Sequence, residues 1–215
     1  MLSSLPTLYS FRRCPYAMRA RMAIHYSKIT IELREILLKD KPPSMLQVSV
    51  KGTVPVLVLP DAGIIDESRE IMMWALAQED PEHWYHGLSK EKQEQANLLI
   101  DSNDYQFKPL LDKYKYSTRH PEQSTENYRQ EAEVHIQRLD QQLSQHHYLL
   151  SDQITIADIA IFPFIRQFAF VNKAWFDHSD YLHLQRWLAE FLESKLFLEV
   201  MQKHPVWQDP LLPSS

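Results

Sequence analysis

Residues 7–18 read Thr7-Leu8-Tyr9-Ser10-Phe11-Arg12-Arg13-Cys14-Pro15-Tyr16-Ala17-Met18, and they hold the only cysteine of the 215-residue chain. Thr7–Phe11 reads as a strand. Pro15 stands where a helix over Pro15–Ser27 would begin, at the helical position where its missing N–H costs nothing. Cys14 therefore falls between a strand and the first turn of a helix, where free backbone N–H groups and the positive end of the helix dipole favour a thiolate. Arg12, Arg13 and, one turn on, Arg19 add positive charge that acts in the same direction. A free cysteine is more commonly a small buried hydrophobe. The strand, Cys-Pro and helix context reverses that reading here.

Outward from this stretch, the first 80 residues alternate between strand and helix patterns. Thr30–Ile36 reads as a second strand, and Pro42-Pro43 opens a short irregular helix. Val54–Leu59 and Gly63–Asp66 are two short strands, separated only by Pro60-Asp61-Ala62 and so close enough for a hairpin. Ser68–Gln78 is helical. The order is βαβαββα, an α/β domain over residues 1–80. A linker with Pro81 and Gly87 is expected at 81–88, and an all-helical domain over 89–215. There Ala132, Ile136, Leu139 and Leu143 form one apolar stripe of an amphipathic helix. Further helices are expected over Lys90–Tyr105, Ile156–Phe168 and Leu182–Met201, followed by an extended, proline-containing tail from His204 to Ser215.

Composition narrows the chemistry. An apolar content of 44%, with 11% aromatic residues, suffices for a real core. A net charge of −5 supplies no basic field for a polyanion, so no nucleic-acid partner is expected. A lone cysteine forms no internal disulfide, and no basic segment followed by an apolar run and a cleavage site is seen, so a reducing cytoplasm is the expected location. The most apolar stretch, Ile154–Ile165, is broken by Asp158 and followed by Arg166, which argues against a membrane span. Glycine occurs only at Gly52, Gly63 and Gly87, so neither a dinucleotide fingerprint nor a phosphate-binding P-loop can be written. His83, His86, His146 and His147 lie in polar, loop-like surroundings and read as surface histidines, and no metal is expected.

Three features stand together: Cys14-Pro15-Tyr16-Ala17 after the first strand, Val54-Pro55 opening the third, and Glu67-Ser68 opening the third helix. With Ile154-Thr155-Ile156-Ala157-Asp158-Ile159 in the helical half, they resemble the glutathione transferase family over essentially the whole chain. The cysteine motif and Lys39-Asp40-Lys41-Pro42 are most similar to its cysteine-type, omega-like class. The resemblance implies an α/β thioredoxin-like N-terminal domain plus an all-α C-terminal domain, with glutathione as co-substrate, a cis Val54–Pro55 bond and a homodimer. It further implies that Cys14 is the nucleophile and that the Val54 backbone, presented by Pro55, pairs with the cysteinyl part of glutathione. Ser68 would hold the γ-glutamyl carboxylate, Glu67 the amino group, and Lys41 the glycyl carboxylate or peptide backbone. Arg13 is a weaker candidate. A second-substrate pocket between the domains would make Tyr105, Phe107, Tyr114, Tyr116, Phe168 and Trp175 worth inspection, although aromatics at helical spacing are more often core.

Ala17 stands where a dithiol oxidoreductase has its second cysteine. The resemblance therefore implies a monothiol cycle of glutathione-dependent thiol transfer or reduction, with dehydroascorbate as a candidate substrate, closed by an external thiol. Conjugation to a small electrophile is secondary, although Tyr9 and Ser10 sit near the positions where other classes carry an activating hydroxyl. Two alternatives stay open: a non-enzymatic adaptor on the same fold, and a glutathione-dependent isomerase or dehalogenase. Taken alone, Glu67-Ser68 is an ordinary helix start. Thr155 with Asp158 reads as a capping box, with Ile154 and Ile159 as its hydrophobic staple, and its role is folding.

Overall fold

In the computed structural model, which describes residues 4–210, every residue of β1 (Thr7–Ser10) is buried. Burial on both faces places β1 inside a sheet with β2 (Glu32–Glu35), β3 (Val56–Val58) and β4 (Ile64–Ile65), in the order β2-β1-β3-β4. β1 runs parallel to β2 and antiparallel to β3, and β3 runs antiparallel to β4. A parallel pair requires a crossover. Here α1 (Pro15–Tyr26) supplies it and packs against α3 (Ser68–Gln78). The six-residue α2 (Pro43–Val48) brings Met45 and Val48 against Tyr9, Ile36, Val54 and Val56. The order is βαβαββα, a thioredoxin-like domain.

The other unit, Pro81–Ser194, has no strand among its described residues. It contains α4 (Lys90–Asp101), α5 (Lys108–Lys115), α6 (Thr125–Leu143), α7 (Ile156–Ala169), α8 (Lys173–Asp177) and α9 (Leu182–Glu193). Ser89 and Ser124 cap α4 and α6 by accepting the N–H groups of Lys92 and Asn127. The stripe Ala132, Ile136, Leu139 and Leu143 is buried, as its spacing demands. No helix among the described residues is long and apolar enough to cross a membrane.

Two helices differ from the sequence reading. The helix expected over Lys90–Tyr105 continues beyond Asp101 as a π-helical turn, Ser102–Phe107, and then as α5. Pro109 lacks the N–H that would bond to Tyr105 and its ring would crowd that carbonyl, so the helix widens just before it. The helix expected over Leu182–Met201 is broken at Ser194, whose backbone is extended, and resumes as α10 (Lys195–Val200).

That break moves the boundary of the helical half. Lys195 onward groups with residues up to Asp80, not with Pro81–Ser194. α10 packs on α1, Arg21 donates to the Val200 carbonyl (3.2 Å), and the Trp207 N–H donates to the Glu35 carbonyl (2.7 Å) beside a parallel bridge from Val206 to Glu35. Residues 195–207 of the segment expected in the helical domain thus lie along α1 and the free edge of β2. The expected extended tail covers 204–215, of which 211–215 lie outside the described residues.

Candidate active site around Cys14

Cys14 is the N-cap residue of α1, in an extended conformation (φ −74°, ψ 123°), and its carbonyl accepts the first helical bond from the Met18 N–H at 2.8 Å. No side chain caps this helix. Sγ is half-buried and donates to the Val54 carbonyl at 3.7 Å, and the Val54–Pro55 bond is cis. That carbonyl, expected to be free for a ligand, is therefore engaged by the thiol. The Val54 N–H makes no hydrogen bond among the described residues. Met45 and Val48 of α2 belong to the same apolar cluster as Val54 and Cys14, so α2 forms part of the wall beside the thiol.

Each arginine of the sequence reading has a partner of its own. Arg12 reaches the Met201 carbonyl at 3.5 Å, Arg13 lies over the Phe11 ring at 5.6 Å, and Arg19 donates from Nε to Ser68 Oγ at 3.0 Å. A second buried cation on α1, Arg21, reaches back to the β1–α1 loop. Its guanidinium donates to Ser10 Oγ (2.6 Å) and to the carbonyls of Arg12 (2.8 Å) and Phe11 (3.4 Å), tying down the turn that presents Cys14. Burial lowers its pKa to about 10, opposed by Glu35 and Cys14, so it stays cationic at neutral pH. An arginine at i+4 and i−3 from Ala17 and Ile24, in the apolar stripe of a helix, was the signal available in the sequence.

Ser68, the first residue of α3, is buried against Arg19, and Glu67 stands at the N-cap without capping the helix. Glu67 instead pairs with Lys51, whose Nζ lies 2.5 Å from Oε1 and 3.4 Å from Asp66. The hydrogen bond to Glu67, followed by that to Asp66, raises the Lys51 pKa. Lys51 was not singled out in the sequence. Lys41 is half-buried and has no hydrogen bond or ion pair among the described residues. Its Nζ approaches Gly52, where a Cβ would stand 3.6 Å away and where φ is +59°, a conformation that favours glycine. The structure thus joins Cys14 to Val54, Ser68 to Arg19, and Glu67 to Lys51, with Lys41 beside the same Lys51-Gly52 turn.

Other candidates resolve into structural roles. The Tyr9 hydroxyl donates to Ser44 Oγ (2.9 Å) and accepts from Arg34 (2.6 Å), while Ser10 is buried against Arg21. Phe107, Tyr114 and Phe168 are core of the helical unit, with Phe168 5.8 Å and 5.3 Å from the other two rings. Thr155 and Asp158 cap α7 as expected, the Thr155 N–H and hydroxyl both donating to Asp158 Oδ2 at 2.9 Å. No group of three or more potential metal ligands occurs among the described residues.

Comparison with known proteins agrees with this architecture. Residues 8–84 match the family described as Glutathione S-transferase, N-terminal domain, and residues 122–190 match Glutathione S-transferase, C-terminal domain. Glutathione S-transferase omega-1 of Mus musculus is 26% identical over 200 residues, covering 93% of this chain and 77% of the relative. Disulfide-bond oxidoreductase YghU of Escherichia coli K12 is 32% identical over 81 residues, 36% of this chain and 28% of that protein. Among solved structures, the glutathione transferase URE2P6 of Phanerochaete chrysosporium, in complex with oxidized glutathione, superposes with a TM-score of 0.79 at 19% identity, covering 92% of this chain and 95% of that one. At that identity the likeness speaks for the fold alone. With both of its domains matched in their expected order, the chain belongs to the glutathione S-transferase family.

Proposed function

We propose that the protein is a cysteine-type, omega-like glutathione transferase that carries out monothiol thiol transfer and reduction. The observation that carries this reading is Cys14 Sγ at the open N-terminus of α1, 3.7 Å from the Val54 carbonyl, in a chain with no second cysteine. Glutathione whose cysteinyl carbonyl accepted the free Val54 N–H would lie along this backbone with its sulfur beside Cys14. The first turn of α3, with Ser68, would receive the γ-glutamyl carboxylate and Glu67 the amino group, and Lys41 would meet the glycyl end. The tethered hydroxyls of Tyr9 and Ser10 support thiol chemistry over hydroxyl-activated conjugation, which is the minor activity in this reading.

The cycle balances with glutathione alone. The Cys14 thiolate attacks the glutathionyl sulfur of a mixed disulfide, forming a Cys14–glutathione disulfide as the substrate sulfur leaves and takes up a proton. A second glutathione thiolate then attacks the glutathionyl sulfur of that adduct and releases oxidised glutathione and the Cys14 thiolate. With dehydroascorbate as acceptor, two glutathione molecules supply the two electrons and two protons. The same reading includes a homodimer in the cytoplasm, supported by family membership and by the lone cysteine. A thiol-transfer assay on the protein and on Cys14→Ser, with glutathione-affinity retention as the binding control, tests it: activity should vanish while retention persists. Equal activity in both proteins would remove Cys14 as the nucleophile. Absence of both activity and retention in the unsubstituted protein would leave the adaptor reading.

A further inference from the structure

We infer that Asp209, in the C-terminal segment, is a positioning residue for the glutathione site and acts through α2; the inference rests on the glutathione-binding reading above. α2 has only six residues, and its N-cap is Pro42, which has no side-chain acceptor. So short a helix has little stability of its own. The acceptor comes instead from the chain's far end. Asp209 Oδ2 accepts the Ser44 N–H at 2.8 Å, and Oδ1 accepts the Ser44 hydroxyl together with Trp207 Nε1 at 2.9 Å.

The contacts close into a loop. Ser44 Oγ accepts from the Tyr9 hydroxyl on β1, which accepts from Arg34 on β2. The Arg34 guanidinium lies 4.0 Å over the Trp207 ring, and the Trp207 N–H is bonded to the Glu35 carbonyl at the edge of the same strand. Burial works against the charge on Asp209, but the bonds from Ser44 and Trp207 and the nearby Arg34 outweigh it and hold the carboxyl below its usual range. The segment Val206–Asp209 is thereby clasped to β2 on one side and supplies the missing cap of α2 on the other.

What α2 positions is the proposed site. Met45 and Val48 pack in the cluster that holds Val54 and Cys14, and Lys41 lies one residue before the helix's N-cap. Loosening the cap leaves the Cys14 loop, held by Arg21, in place but lets the Lys41 side drift. The signature is a weaker hold on glutathione with unchanged thiol chemistry.

The test compares Asp209→Ala and Asp209→Asn with the unsubstituted protein by hydrogen exchange of the Ser44–Ser49 amides, glutathione kinetics and alkylation of Cys14 by iodoacetamide. Loss of a cap shifts an equilibrium by about fivefold, so Asp209→Ala should exchange α2 amides and raise KM for glutathione by about that factor. Turnover at saturating glutathione and the alkylation rate should stay within about twofold. Asp209→Asn, which keeps one acceptor oxygen, should fall between. Unchanged α2 exchange, or faster exchange with an unchanged KM, overturns the inference while leaving the glutathione reading intact. An unsubstituted protein that neither binds nor turns over glutathione overturns both.

Discussion

Replacing Asp158 with alanine should destabilise the helical unit far more than the loss of a helix cap. The carboxylate is fully buried and has four donors: the Thr155 N–H and hydroxyl, the Leu149 N–H (2.9 Å) and the Trp187 indole N–H (3.0 Å). Burial raises its pKa, and these donors push back. A cap alone is worth about 0.5–2 kcal/mol. Asp158→Ala also strands the N–H groups of Leu149 and Trp187, in residues that are 1% and 0% exposed. An orphaned buried donor costs about 1–3 kcal/mol, and removal of the buried charge offsets part of the sum, so a loss of about 3–5 kcal/mol is expected. Urea unfolding followed by circular dichroism reads this directly, and a chain of this size should lose about 6–20 °C in Tm. Thiol transfer per folded molecule should change by less than about twofold. A loss under about 1 kcal/mol would refute the reasoning, because it would mean that the Leu149 and Trp187 bonds carry no net weight.

Stability should also fall in acid through His135, which is buried and stacked on Phe107 at 4.5 Å, with Nε2 unbonded among the described residues. Burial, then Arg138, lowers its pKa from 6.5 to about 4, so the unfolded chain takes up a proton that the folded one refuses between those values. Its contribution is complete above pH 6.5 and is lost toward pH 4, by about 3 kcal/mol; urea midpoints from pH 7 to 4 should show a slope that His135→Phe reduces. Glu67→Gln should weaken glutathione binding by calorimetry while leaving Tm nearly unchanged, since its pair with Lys51 is exposed and screened by solvent. Ser68→Ala should weaken binding and also cost about 1 kcal/mol, because it removes the buried hydroxyl that accepts from Arg19 Nε. Unchanged glutathione affinity in both variants would remove these residues from the site.

Much of this architecture is legible from local signals. The strand, Cys14, Pro15 and helix succession is punctuated within a few residues, and Ser68–Gln78 follows its apolar pattern to both ends. What escaped depends on distant partners or on one proline. The π-helical turn needs Pro109 to be read against the carbonyl four residues earlier. The return of Lys195–Asp209 to the first unit depends on Arg21, Glu35 and Ser44, which lie well over a hundred residues away. The site shows the same division. Cys14, Val54-Pro55 and Glu67-Ser68 stand out by residue type and position. Their pairings do not: Arg19 reads only as charge near Cys14 and Lys51 not at all, because the bonds to Ser68 and Glu67 span 49 and 16 residues and follow no helical or strand period.

The central proposal is that Cys14 is an accessible nucleophile with no internal resolving partner. Intact-protein mass spectrometry after treatment with oxidised glutathione tests it most directly. The account predicts one glutathione added per chain, an adduct that persists until free thiol is supplied, and none on Cys14→Ser. A protein that stays unmodified under these conditions, with a Cys14 that alkylates only slowly, would contradict it and make the opening cysteine a buried small residue.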